Sequence, residues 1–346
     1  MRRNTKKYDI PPFIQPGLFD SLDEPGTGVM GDFELIPPEK IDDLRLEMIR
    51  TSPLEDMEPQ QADDHIFFMS LGSGSSGNCA YVGDRSSGFL IDAGIDGKKV
   101  MLSLRDNGIM PEQVRGIILT HDHHDHISQA YPLLRAYRHL KLYCTPRTLN
   151  GILRHRNVSR RIKDYHVAVY KEFPFTIGQF TITPFDVSHD SSDNAGFFIE
   201  HGAHTLCVAT DLGCITPRVD HYMRQARNIV IESNYDYDSL RRGSYPEHLK
   251  ARILAATGHL DNREAADFIA GIYTPILRNI FLCHLSHDNN TPELATSAMK
   301  EALTAKGVAE FTATTISSRD EEDAARPRVF LLPLPRYEHT PLYTLF

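Results

Sequence analysis

The sequence contains no run approaching about 18 uninterrupted apolar residues, which excludes a hydrophobic transmembrane helix. Its opening, MRRNTKKYDIPPF, lacks the apolar core of a secretion signal. Cysteine is sparse: Cys79, Cys144, Cys207, Cys214 and Cys283 are odd in number and never form a C-x-x-C pair. That pattern argues against a zinc knuckle or a disulfide framework and for small buried thiols in a reducing compartment. Together these absences set the expectation of a cytoplasmic protein with no membrane partner.

An excess of positive charge is lacking too, since the net charge is −9. Its distribution matters more than its sum. Residues 1–64 hold 7 Lys/Arg and 15 Asp/Glu, leaving 30 and 31 for residues 65–346. The acidity therefore belongs to the N-terminal extension, and a basic patch on the near-neutral remainder would be a local feature. The extension is rich in Pro, Asp and Glu, a composition that buries too little apolar surface to fold alone. Within it, PPEKIDDLRLEMIRTS predicts a short helix over 38–51, with Pro38 in the first turn and Ile41, Leu44 and Met48 on one face. That helix would pack on the core, the favoured reading, or bind a protein partner.

From His65 onward, apolar runs of strand length alternate with helix-like segments. IFFMSL, CAYVGD, GFLIDAG, GIILT, FTITPFDVS, GFFIE, TLCVAT, NIVIE and NIFLC read as strands. KKVMLSLRDNG, ISQAYPLLRAYRH, PEHLKARILAAT, DNREAADFIAGIY and TPELATSAMKEALTAKG read as helices. Asp261 and Glu264 form a D-x-x-E variant of the capping box, and Thr291 with Pro292 marks another helix start. The order predicts one α/β domain over 65–335, followed by a tail, 336–346, whose apolar residues would dock on it. SSRDEEDAARPR reads as a surface loop.

GSGSSG, residues 72–77, satisfies the G-x-G-x-x-G spacing of a dinucleotide site. That motif must open a helix whose N-terminus faces a pyrophosphate. Here NCAYVGDRSSGFLID continues as strand, turn, strand, so the glycines predict a tight hairpin turn beside a cleft.

The strongest chemical signal is HDHHDH, residues 121–126, directly after the apolar strand GIILT. In an extended chain, side chains two apart point the same way. His121 and His123 can therefore face one metal while Asp122 and His124 point elsewhere. Asp125 and His126 fall where the chain turns into a helix, aimed at a neighbouring metal. Further strand-end residues, His189, Asp211 and His284, can complete such a centre. Imidazole and carboxylate without thiolate suit Zn or Mn, with Fe also compatible.

The order of Asp92 in LIDAG, H-x-H-x-D-H at 121–126, His189, Asp211 and His284 in HLS resembles the metallo-β-lactamase superfamily. The resemblance spans nearly all of 66–335. It implies an αββα sandwich of two mixed sheets with flanking helices and a two-metal site at one sheet edge. It further implies one metal on His121, His123 and His189, the other on Asp125, His126 and His284, Asp211 bridging, and Asp92 orienting ligands. SGSSGN, IDAG, ESNYDYDSLRRGSYPEHLKARIL, GHLDN and HLSHDNNTPELA narrow the likeness to the YycJ/WalJ branch, associated with metal-dependent 5′→3′ exonuclease activity on DNA. The acidic extension, and GHLDN where GHLSN is usual, depart from that pattern.

Glu232 in VIESN and His259 in ATGHLDN add a second chemical element. In related phosphodiesterases that mature tRNA 3′ ends, a Glu and a His at matching positions form a proton-donating couple. Two divalent metal ions can supply a bridging hydroxide near neutral pH, but the departing sugar oxygen still needs a proton. Arg154, Arg156, Arg160, Arg161 and Lys163 crowd one segment and would track a nucleic-acid backbone, with Arg241, Arg242, Lys250 and Arg252 as a second cluster. The resulting expectation is a two-metal phosphodiesterase acting at DNA 5′ ends, with Asp125, Glu232 and His259 in catalysis. The rivals are an RNase, a hydrolase of small cyclic phosphodiesters, and a non-catalytic metal-binding scaffold.

Overall fold

The computed structural model describes residues 65–316 and 327–346. The expected helix at 38–51, the rest of the acidic extension and most of the SSRDEEDAARPR loop lie outside the described residues. The first sheet is built from β1 (Ile66–Gly72), β2 (Cys79–Gly83), β3 (Gly88–Ile91), β4 (Val114–Ile118), β5 (Lys141–Cys144) and β6 (His166–Ala168). The second takes β7 (Phe175–Ile177), β8 (Phe180–Asp186), β9 (Ala195–His201), β10 (His204–Ala209), β11 (Asn228–Glu232), β12 (Asn279–Cys283), β13 (Glu310–Thr312) and β14 (Arg328–Pro333). A last strand, β15 (Tyr343–Leu345), returns to the first sheet. The orders are β15-β1-β2-β3-β4-β5-β6 and β13-β14-β12-β11-β10-β9-β8-β7.

Both sheets are mixed, because hairpins alternate with helical crossovers. β1, β2 and β3 pair antiparallel through short turns, whereas β3, β4, β5 and β6 pair parallel. In the second sheet β7 to β10 form an antiparallel meander, and β10, β11, β12 and β14 run parallel. The side-chain period of two then divides each strand between faces. Phe68, Phe89 and Ile91 meet Phe180, Phe197 and Phe281 between the sheets. Met69, Leu71 and Leu90 face outward under α1 (Gly97–Asp106), α3 (Ala130–Ala136) and α4 (Pro146–His155), with the four-residue α2 (His124–Ile127) beside them. Ile229, Ile231 and Ile280 pack under α5 (Pro217–Met223), α8 (Asn262–Ile272) and α9 (Pro292–Ala305), after the short α6 (Tyr237–Arg242) and α7 (Glu247–Ile253). This is an α/β fold of four layers, helix, sheet, sheet, helix.

Several local expectations meet specific bonds. Asp261 caps α8 by accepting from the N–H groups of Arg263 and Glu264. Thr291 caps α9 through Leu294 N–H, with Pro292 at the first helical position. Past the expected division at 335, Tyr343–Leu345 pairs antiparallel with Ile66–Phe68, so the tail forms the edge strand of the first sheet. No helix of the described residues is long and apolar enough to cross a membrane.

Candidate metal centre

Left-handed backbone marks where the sheets open. Among the described non-glycine residues, positive φ occurs at Asp92 (60°), Glu172 (67°), Asp211 (54°) and His284 (54°). Three of these four follow a strand end, just past β3, β10 and β12: Asp211 and His284 carry candidate ligands, and Asp92 holds the candidate ligand His126. Each costs about 1–2 kcal/mol relative to an ordinary backbone angle. The conformation turns the chain sharply, so the side chain points across the sheet edge. The three converge with the 121–126 loop and with His189.

The loop itself is set by close packing. A Cβ on Gly94 would lie 1.6 Å from the Asp125 carbonyl oxygen, so only glycine lets the LIDAG segment pass. Asn78 N–H donates to that same carbonyl at 2.8 Å, and Gly94 N–H donates to Asn78 O at 2.8 Å. The glycine-rich turn between β1 and β2 thus forms one wall of the centre, as a hairpin and not as the start of a helix. From it Asn78 Nδ2 lies 2.9 Å from His126 Nε2 and 3.3 Å from Asp125 Oδ2. Ser73 Oγ accepts from His284 N–H at 2.8 Å.

His121, His126, His189 and His284 share one arrangement: one ring nitrogen is held by the protein and the other faces inward. His126 Nδ1 lies 2.7 Å from Asp92 Oδ2, and its Nε2 lies 3.3 Å from Asp211 Oδ2. His284 Nδ1 lies 2.7 Å from Glu232 Oε1. His189 Nδ1 donates to Gly258 O at 2.9 Å while its Nε2 sits 3.2 Å from His123 Nδ1. His121 Nδ1 lies 3.0 Å from Thr120 Oγ1, itself bonded to Asp92. A carboxylate or carbonyl on the outer nitrogen fixes the tautomer of a metal-binding imidazole. The Nε2 atoms of His121 and His284 are buried with no hydrogen-bond partner. Two orphaned lone pairs in a buried polar site are costly unless a ligand takes them.

Donor atoms fall into groups lying within 4.8 Å of one another: His121, His123, His189; Asp125, His126, His284; and His121, His126, Asp211. A fourth group joins Asp211, Glu232, His259 and His284. Glu232 is a poor ligand, however. Its Oε2 accepts from Leu212 N–H (2.7 Å) and Leu260 N–H (3.1 Å), and its Oε1 is shared by His259 and His284. The first two groups, with Asp211 reaching both, fit two divalent cations on imidazole and carboxylate donors.

The electrostatics of the empty-handed side chains agree with that fit. Burial, helped by neighbouring imidazoles, pushes His121 well below the usual histidine range, leaving a neutral donor. Against burial, His284 and His126 hold the Asp211 carboxyl well below the ordinary carboxylate range. Asp125 is likewise lowered to about 2, His126 and His284 outweighing its burial. Burial opposes charge on His126, but Asp211, Asp92 and Asp125 raise it to about 9. The carboxylates that would face divalent cations are thus held ionised, as ligands must be.

Other expected residues are redistributed. Asp122 is buried and accepts from Ser192 N–H (3.1 Å) and Oγ (2.8 Å), tying the 121–126 loop to the His189 loop. His124 is exposed at the start of α2. We therefore expect His124→Ala to keep wild-type bound metal and His123→Ala to lose about one ion per chain, read by elemental analysis of purified protein. The reverse result would put the site in the wrong register. Arg156 Nε donates to Asp122 O at 2.7 Å, which braces the 121–126 loop and leaves its other N–H donors open. Arg154, Arg160, Arg161 and Lys163 remain exposed. Asp190, which sequence reading missed, places Oδ1 3.6 Å from His189 Nε2 and 3.9 Å from His123 Nε2. Its only sequence signal was its position next to His189.

Comparison with known proteins gives concordant matches. Residues 88–284 match the beta-lactamase superfamily domain. Exodeoxyribonuclease YycJ of Bacillus anthracis is 33% identical over 243 residues, 70% of this chain and 90% of that protein. Exodeoxyribonuclease WalJ of Streptococcus pneumoniae is 32% identical over 233 residues, 67% of this chain and 86% of that protein. The crystal structure of the metallo-beta-lactamase fold protein YhfI from Bacillus subtilis superimposes with a TM-score of 0.57 at 16% identity, covering 80% of this chain and 99% of that one.

Proposed function

The chain belongs to the metallo-β-lactamase superfamily, in the group of the YycJ and WalJ exodeoxyribonucleases, and on that premise we propose that it is a DNA exonuclease working from 5′ ends. At the coarser level it is a metal-dependent hydrolase of phosphodiesters. The observation that supports phosphodiester chemistry is the Glu232–His259 pair, Oε1 to Nδ1 2.8 Å, beside the candidate metal cluster, and the likeness to two exodeoxyribonucleases supports DNA as the polymer.

His121, His123 and His189 would hold one cation, Asp125, His126 and His284 the other, with Asp211 between them and Asp92 and Glu232 orienting His126 and His284. Held by these residues, two divalent ions, Zn or Mn, would supply Lewis acidity, lowering the pKa of a water toward about 7 and offsetting charge on phosphoryl oxygens. The remaining work falls to the protein. Asp125, held ionised, accepts a hydrogen bond from the attacking water and aims it. His259 has its Nδ1 fixed by Glu232, so its Nε2 is presented to the departing sugar oxygen. Burial works against a charged His259, yet Glu232 raises its pKa above the ordinary histidine value, which favours the protonated form that can donate. Arg160, Arg161 and Lys163 follow the DNA backbone away from the chemistry, Arg154 beside them.

The test offers metal-replete protein duplex and single-stranded DNA labelled at either end, and RNA. Nucleotide release should begin at the 5′ label of DNA, and Arg160→Ala/Arg161→Ala/Lys163→Ala should flatten the salt dependence by about 0.7–0.9 per lost contact. No release from any polymer would end the nuclease reading. Release from RNA alone, or from 3′ ends first, would overturn the substrate or the polarity.

A further inference from the structure

Beside the metal cluster lies a cavity of about 190 Å³ whose walls include Ser75, Asp190, Tyr245, Arg252, His259 and His284. It is the space a nucleic acid must enter to reach His259. Its lining carries one Arg or Lys side chain, Arg252, in the last turn of α7. Lys250 on the same helix points elsewhere, its Nζ donating to Glu247 Oε1 (3.1 Å) and Arg241 O (3.0 Å). Arg336 sits behind Ser75, donating to its Oγ at 3.3 Å and to Leu285 O.

Arg252 is held unusually well for a side chain 60% exposed. Its Nε donates to Asp190 Oδ2 at 2.6 Å and its Nη2 to Asp190 Oδ1 at 3.1 Å. This is a bidentate carboxylate fork on one edge of the guanidinium. A guanidinium has five N–H donors, so two bonds leave three, enough for a second fork on its other edge. Asp190 in turn stands 3.6 Å from His189 Nε2 and 3.9 Å from His123 Nε2. The cation is thereby fixed relative to the histidines that would bind metal.

We propose that Arg252 binds a backbone phosphate of the nucleic acid, next to the scissile one, and that Asp190 is the positioning residue that presents its free edge. The inference rests on the nuclease reading and specifies how that site engages a polymer. Two divalent ions can offset the scissile phosphate and the carboxylates around it. The neighbouring phosphate has no such partner, and a carboxylate-bound arginine meets its planar, bidentate geometry without reorganisation.

The experiment measures KM, the salt dependence of kcat/KM and bound metal for Arg252→Ala and Arg252→Lys on a 5′-labelled single-stranded oligonucleotide. Arg252→Ala should raise KM about tenfold and flatten the slope against log salt by about 0.7, the single-strand value for one phosphate contact. Arg252→Lys keeps the charge and loses the fork, so it should restore the slope and only part of KM. Bound metal should stay at the wild-type level in both. An Arg252→Ala protein with wild-type KM and slope overturns the proposal. So does one that loses metal with its slope intact, since Arg252 would then serve Asp190 alone. Wild-type protein inactive on every polymer would instead overturn the nuclease reading, a distinguishable failure.

Discussion

Asp211→Asn is expected to abolish nucleotide release, by about a thousandfold or more, and to lower bound metal at both positions. Its carboxylate reaches both groups: 3.3 Å to His126 Nε2, 3.7 Å to His189 Nε2 and 3.5 Å to His284 Nδ1. Removing a single charged stabiliser from a desolvated active site costs about 10²–10³ in rate, and a shared ligand loses more because both cations depend on it. Asn is the informative substitution. It keeps the volume, and it tolerates the left-handed backbone at φ 54°, where Ala would add strain. The variant should therefore stay folded by circular dichroism while elemental analysis shows metal loss. Asp92→Asn gives the scale for comparison. Asp92 touches His126 from outside the cluster, so the expected loss is about 10–100-fold in metal affinity. If Asp211→Asn retained two ions and near wild-type turnover, Asp211 would not lie between the metals.

What was legible in the sequence follows from what each element depends on. β1, β4, β11 and β12 are buried on both faces, so their apolar runs stand out whatever surrounds them. The candidate ligands were legible for the same reason: each lies just beyond such a run, or within a histidine cluster that composition alone makes conspicuous. β5, β6 and β7 do not stand out as strands, being three or four residues long and partly exposed, with β6 and β7 at sheet edges. β15 belongs to the first sheet only through its pairing with β1, a contact nearly 280 positions away that no local pattern encodes. Likewise Glu232 looked like a partner for His259 alone, whereas the fold also sets it 2.7 Å from His284. Arg252 and Asp190 are 62 residues apart, and α7 alone showed only a charge run. Local chemistry was readable; the pairing of distant polar groups was not.

That double use of Glu232 shapes the last expectation. His259→Ala should slow release from DNA by about 10²–10⁴-fold, the contribution of a positioned general acid. Metal content should be unchanged, because His259 Nδ1 is taken by Glu232 and the ring lies outside the three-residue groups assigned to the cations. Glu232→Gln is the poorer test, since it disturbs His284 as well. The distinguishing readout is the leaving group. A sugar 3′ oxygen departs badly without a proton, whereas 4-nitrophenolate departs as a stable anion. On the 4-nitrophenyl ester of thymidine 5′-phosphate the loss in His259→Ala should shrink to within about tenfold. The pH profile carries the sign: Glu232 raises the His259 pKa, so the acid is intact below it and wild-type activity on DNA falls as pH rises through it. That alkaline limb should disappear in His259→Ala. Equal losses on both substrates would make His259 a structural residue, capping the turn through which Leu260 N–H reaches Glu232, and would leave the departing oxygen to be protonated from elsewhere.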